Sequence, residues 1–157
     1  MRIEIVPHEV HMSSLPLSYT SLLIIHAGAT LLMTGVIWVI QLVHYPLFAQ
    51  VGASGYQAYQ AQHMKRITWL VGPLMVTEAG ATLLLFKFAT SPHLQSALLG
   101  LVLLGVIWLS TATLQVPAHA RLTLAWDESA HQRLVWTNWI RTLAWSARAL
   151  IALSLLR

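Results

Sequence analysis

The stretch "YTSLLIIHAGATLLMTGVIWVIQLVHYPLF", residues 19–48, decides the fold. Its first part, Tyr19 to Val43, contains no Asp, Glu, Lys or Arg. A helix of that length, rising about 1.5 Å per residue, outreaches the roughly 30 Å of bilayer hydrocarbon. The run then closes with Gln41, His44 and Pro46, so a metal-capable side chain stands where the span meets the headgroups.

Working outward, three more stretches are long and apolar enough to read as spans: Ile67 to Phe88, Ser96 to Val116 and Leu134 to Leu156. Of the 157 residues, 57% are hydrophobic and 9% charged, against about a quarter charged in a soluble domain, and the spans leave little chain for a soluble domain. The expected fold is all-α, a single domain over residues 1–157 forming a four-transmembrane-helix, up-down-up-down bundle. The segment before the first span lacks a basic leader and carries Glu4 and Glu9, so that span reads as a membrane helix rather than a secretory signal. With no cysteine, disulfides, thiolate metal sites and cysteine nucleophiles are excluded.

The formal charge is +4, but the basic residues stand mostly at predicted helix ends rather than in one patch, which argues against nucleic acid. Lys65, Arg66, Arg121 and Arg133 fall at one membrane face, and Arg2, Lys87 and Arg157 at the other. The positive-inside rule then favours the first face as cytoplasmic, by a single charge. Between spans, Gly52, Ala53, Ser54 and Gly55 read as a turn, Pro92 as a break, and Asp127 with Ser129 as caps of the last helix. Gly28 with Gly35, and Gly100 with Gly105, read as sites of close helix approach. The chain also resembles two copies of a helical hairpin, "QLVHYPLF" with "HMKRITW" and "LQVPAHARL" with "HQRLVWTNW", in different spacing.

In an antiparallel bundle the end of span one, the start of span two, the end of span three and the start of span four share one face. His44, His63, His119 and His131 occupy those places. A single histidine at headgroup depth is ordinarily an interfacial residue, and His8, His11, His26 and His93 lie elsewhere. Four on four helix ends point to a shared site. Neutral imidazole is a ligand of copper and iron, so the set fits one or two such ions, or haem b held by two histidines with Arg66, Arg121 or Arg133 near its propionates.

Polar side chains within the spans cost several kcal/mol unless paired or turned toward a cavity, of order ~3 kcal/mol for a charge at mid-membrane. Glu78, Asn138, Arg141 and Arg148 are such residues. Glu78 and Arg148 match in depth, each roughly 22–25 Å below the histidine of its own helix, so a pair between them is geometrically allowed; Arg141 could reach Glu78 instead, or anchor an anionic head group. Glu78, Asn138 and Arg141 are the candidate catalytic residues beneath the histidines. Trp69, Trp126, Trp136, Trp139 and Trp145 read as an interfacial belt with an inward-facing subset. No Walker loop, dinucleotide-binding glycine pattern, HExxH or nucleophile elbow is present.

Val116, Pro117 and Leu122, followed by Trp136, Asn138, Arg141 and Thr142, form a pattern that resembles the small four-helix membrane family including the anthrone oxygenases; the likeness covers about a quarter of the chain. Where that family has Asn after the proline element, this chain has His119. The resemblance implies oxidation of lipophilic, often aromatic, molecules by dioxygen. "QLVHYPLF" with "HMKRITWLVGPLMVTEAG" resembles segments of bacterial four-helix membrane proteins without assigned activity, which implies a bacterial inner membrane. The leading expectation is a membrane oxidoreductase with a histidine-held copper, iron or haem centre, acting on a lipophilic substrate or passing electrons to a redox partner. The alternative is a non-enzymatic subunit or assembly factor of a larger membrane complex, or a homo-oligomer; a proton-coupled carrier using Glu78 and Arg148 stands third.

Overall fold

The computed structural model describes residues 18–89 and 91–157. Arg2, Glu4, His8, Glu9 and His11, and with them the reading of the leader segment, lie outside the described residues.

All regular structure among the described residues is helical: α1 (Tyr19–Val39), α2 (Tyr45–Leu47), α3 (Ala53–Phe88), α4 (Leu94–Ser110), α5 (Val116–Leu124) and α6 (Glu128–Ser154). A π turn at Ile40–His44 and a 3-10 turn at Phe48–Gln50 make α1 and α2 one continuous rod, Tyr19–Gln50. A second π turn, Thr111–Gln115, joins α4 and α5 into Leu94–Leu124. The first rod packs on α3 and α6, and α4 packs on α3 and α6, which gives the expected ring of antiparallel neighbours.

Three rods, Tyr19–Gln50, Ala53–Phe88 and Leu94–Leu124, are long and apolar enough to cross a membrane, which marks the chain as an integral membrane protein. The fourth differs from expectation. At 27 residues α6 spans about 40 Å, so length is no obstacle, but Asn138, Arg141 and Arg148 along it lower its apolarity. All three are buried, and α6 keeps a polar stripe against the other helices.

Both prolines at the ends of apolar runs lie inside rods rather than ending them. Proline donates no amide hydrogen and its ring crowds the carbonyl four residues back. Here the residue before each proline bonds five residues back instead, Tyr45 N–H to Ile40 O and Val116 N–H to Thr111 O. The wider turn relieves the crowding and shifts the helix phase by one residue. In consequence Ser110 and Gln115, five apart, face each other, and Ser110 Oγ donates to Gln115 Oε1 at 3.1 Å. The same device turns Ile40 and Gln41 inward together.

The connections are shorter than read. The turn after the first rod contracts to Val51 and Gly52, and only Gly52, at φ 81°, needs the left-handed conformation that glycine tolerates. Asp127 is the cap of α6: its Oδ1 accepts from the amides of Ser129 and Ala130, and from Ser129 Oγ. The small-residue reading fails at three glycines, since a Cβ at Gly28, Gly35 or Gly105 would meet nothing within 4 Å. Gly100 alone is close-packed, with Arg148 Nη1 at 3.8 Å from that position.

Candidate functional site

The bundle brings His44, His63, His119 and His131 into one layer, around Phe48. That phenyl ring is fully buried, with centroid distances of 5.2 Å to His44, 5.1 Å to His63, and 6.4 Å to both His119 and His131. The 3-10 turn that begins at Phe48 lets its side chain occupy the centre of the histidine layer. Carbon therefore fills the point where the four rings would share an ion.

Most of the ring nitrogens are also engaged. His44 Nε2 and His63 Nδ1 share a hydrogen bond of 2.8 Å. His119 Nε2 shares one of 2.9 Å with Tyr45 Oη, and its Nδ1 one of 2.9 Å with Gln60 Nε2. His131 Nε2 donates to Tyr45 O at 2.8 Å, which fixes the tautomer if the ring is neutral and leaves Nδ1 as a bare acceptor. His63 Nε2 and His131 Nδ1 are buried and unpartnered. Among the described residues no three metal-capable side chains are placed to hold one ion. The four rings expected to share a copper or iron ion therefore converge as a layer without forming such a group: five of their nitrogens bond to neighbours, and His63 Nε2 and His131 Nδ1 stay open. The three propionate candidates divide as well. Arg66 is exposed beside His44 and His63, whereas Arg121 and Arg133 share a separate recess with Ser129.

Glu78 belongs to a different place. Its Oε1 accepts from Thr30 Oγ1 at 3.0 Å and from Arg148 Nε at 2.9 Å, and Oε2 accepts from Trp145 Nε1 at 2.9 Å. Arg148 also donates to Thr82 Oγ1 at 2.8 Å and to the carbonyl of Gly100. Of the two arginines within reach, Arg148 is the one that pairs with Glu78; both side chains are 1% exposed, and their polar atoms are satisfied. These bonds tie α1, α3, α4 and α6 together, so Glu78, one of the candidate catalytic residues, sits in a lock between helices.

Between the lock and the histidine layer lies a cavity of ≈ 170 Å³. Met33, Ile37, Ile40, Ile67 and Trp145 supply apolar walls, and Tyr45, Thr111, Gln115, His119 and Arg141 the polar one. Arg141 is 8% exposed and has only neutral partners: Asn138 Oδ1, Thr111 Oγ1 at 3.4 Å and Tyr45 Oη at 3.3 Å. Among the described residues the one ion pair is Arg148 with Glu78, so Arg141 faces the cavity without a carboxylate. Asn138 does not line the cavity. Its Nδ2 donates to Gln41 Oε1 at 2.8 Å while Oδ1 accepts from Arg141, so it positions the guanidinium.

Tyr45, Gln41, Gln60 and Gln115 belong to this network but not to the residues singled out from sequence. The available signal was spacing: Gln41 and Tyr45, and Gln115 and His119, are four apart, one helical turn. Of the tryptophans, Trp69 and Trp136 are 76% and 73% exposed, while Trp145 is buried against the cavity and Trp126 stacks near His131 at 4.8 Å. Compared with family models, with curated proteins and with solved structures, the chain matches none.

Proposed function

We propose that the bundle interior binds a small lipophilic molecule carrying an acidic oxygen, a phenolate or enolate, and that the protein acts on it as an integral-membrane oxidoreductase. Arg141 carries this reading. A buried cation without a counter-charge costs several kcal/mol, of order ~3 kcal/mol or more at mid-membrane, and an anionic oxygen in the cavity removes that penalty. Tyr45, whose Oη is bonded to His119 and Arg141, keeps its own O–H to donate to such an oxygen. Phenolates and enolates are the electron-rich forms from which oxidation starts, so stabilising one in a dry site favours electron loss to dioxygen or to a redox partner. The likeness to the anthrone oxygenases implies the same reaction class, and the likeness of the first two spans to bacterial four-helix membrane proteins implies a bacterial inner membrane.

Size narrows the substrate. A cavity of about 150 Å³ in another protein takes up benzene, so ≈ 170 Å³ suits one aromatic ring, not three fused rings. The probe is 4-nitrophenol, whose phenolate absorbs visibly. Bound beside Arg141 its apparent pKa should fall, because a nearby cation favours the anion. Arg141→Gln should weaken binding by about tenfold or more, the loss of a charged hydrogen bond of roughly 1.5–3 kcal/mol. Equal affinity for the methyl ether 4-nitroanisole, or unchanged binding in a folded Arg141→Gln variant, would overturn the proposal.

A second reading rests on the two open imidazole nitrogens, His63 Nε2 and His131 Nδ1, which are chemically suited to copper or iron, or to a haem b iron. Elemental analysis and a visible spectrum decide it. Stoichiometric metal lost in both His63→Ala and His131→Ala supports a metal centre, whereas metal-free protein that binds 4-nitrophenol rules it out for that activity. Metal-free protein that binds no phenol and purifies with a stable partner would favour the non-enzymatic subunit.

A further inference from the structure

Outside the bundle, α1 and α3 border a lipid-facing groove of ≈ 470 Å³, lined by Leu31, Leu32, Val39, Ile40, Ile67 and Leu70. Ile40 and Ile67 also line the inner cavity, so two side chains are the common wall between the phenol site and the bilayer. From the level of Tyr45 to Leu31 the groove follows the helix for about 20 Å. Its upper end meets a recess with His44, His63 and Arg66, a polar surrounding that a hydrocarbon chain avoids. Along the groove floor Gly35 leaves room, for a Cβ there meets no atom within 4 Å.

Resting on the reading of the cavity as a phenol site, we propose that the substrate is a single-ring phenol bearing a long hydrocarbon tail: the ring sits against Arg141 and Tyr45, and the tail passes between Ile40 and Ile67 into the α1–α3 groove. The two spaces share the wall formed by Ile40 and Ile67, and that adjacency favours this occupant over an ordinary bilayer lipid. A cavity of one-ring size holds the head, and the adjoining groove, entirely apolar below His44, offers the tail no polar group to satisfy. A tail in the groove gains little apolar transfer energy over one in lipid. Its value is to hold the ring at the depth of Arg141 and to bring it in sideways, without crossing water.

The experiment is competition in lipid nanodiscs, with displacement of bound 4-nitrophenol by 4-dodecylphenol read as phenolate absorbance. Gly35→Leu fills the groove from an exposed helical position where leucine is the better helix former, so folding is not at risk. We expect Gly35→Leu to weaken 4-dodecylphenol by about tenfold, or ~1.4 kcal/mol, and to leave 4-nitrophenol within about twofold of the wild type. Partitioning of the tail into the disc is common to both proteins and cancels. Unchanged 4-dodecylphenol affinity in Gly35→Leu overturns the groove proposal while the cavity reading stands. Equal weakening of both phenols also overturns it, since the groove would then not be acting on the tail. Failure of the wild type to bind 4-nitrophenol at all removes the cavity reading, and with it this one.

Discussion

Arg141 is held by neighbours that accept its hydrogen bonds but never neutralise it, and Asn138 is the chief of these. Asn138→Ala should therefore act through Arg141. It should raise the apparent pKa of bound 4-nitrophenol toward its free value and weaken binding by about tenfold, the lower end of a charged hydrogen bond at ~1.5 kcal/mol. A variant that lost binding without moving that pKa would mean that Asn138 shapes the cavity rather than the charge. Both residues were legible in the sequence for one reason: polar groups in an apolar run are costly, so each must face something. The same logic reaches Gln41 and Gln115, which are 3% and 1% exposed, but an uncharged amide in a helix draws less notice than an arginine. Tyr45 was hidden differently. It follows the apolar run immediately, where tyrosine ordinarily marks the headgroup level, and only the π turn at Ile40–His44 shows it turned inward.

At the level of elements, the helices could be read from the apolar runs, but their phase could not. Pro46 and Pro117 look like terminators, and nothing in local composition announces that a five-residue turn will carry the helix through each. Caps are the opposite case, because Asp127 ahead of Ser129 and Ala130 states its role by position. Hydrogen bonds from the Ala130 amide and then from the Ser129 hydroxyl are the largest causes holding its carboxyl below the usual carboxylate range. A group whose folded pKa is depressed adds stability above its unfolded pKa and loses it as pH falls through the folded value. The melting temperature of the wild type should accordingly exceed that of Asp127→Ala at neutral pH, and the gap should close as the medium is acidified below the ordinary aspartate range. Thermal melts followed by circular dichroism in one detergent at both pH values test this; a gap independent of pH would mean that the carboxylate's hydrogen bonds are not what caps α6.

Across the whole molecule, depth was legible and occupancy was not. Alternating helix direction correctly assembles four histidines in one layer and sets Glu78 opposite Arg148, because rise per residue fixes depth. What fills the middle of a layer depends on rotations that depth cannot supply, and Phe48 holds the place expected for a metal. The Glu78–Arg148 lock offers the sharpest test of the assembled bundle. Glu78→Leu alone strands a guanidinium that is 1% exposed, a loss of the order of 3–5 kcal/mol for one partner of a buried pair. Glu78→Leu with Arg148→Met removes both charges and should recover most of that stability, since apolar replacements of a buried pair are often neutral or better. Unfolding of both variants in graded denaturing detergent provides the comparison. If the double variant is as unstable as the single one, the bundle depends on the polar bonds to Thr30, Thr82, Trp145 and Gly100 rather than on charge balance, and the pair holds the helices by the direction of those bonds.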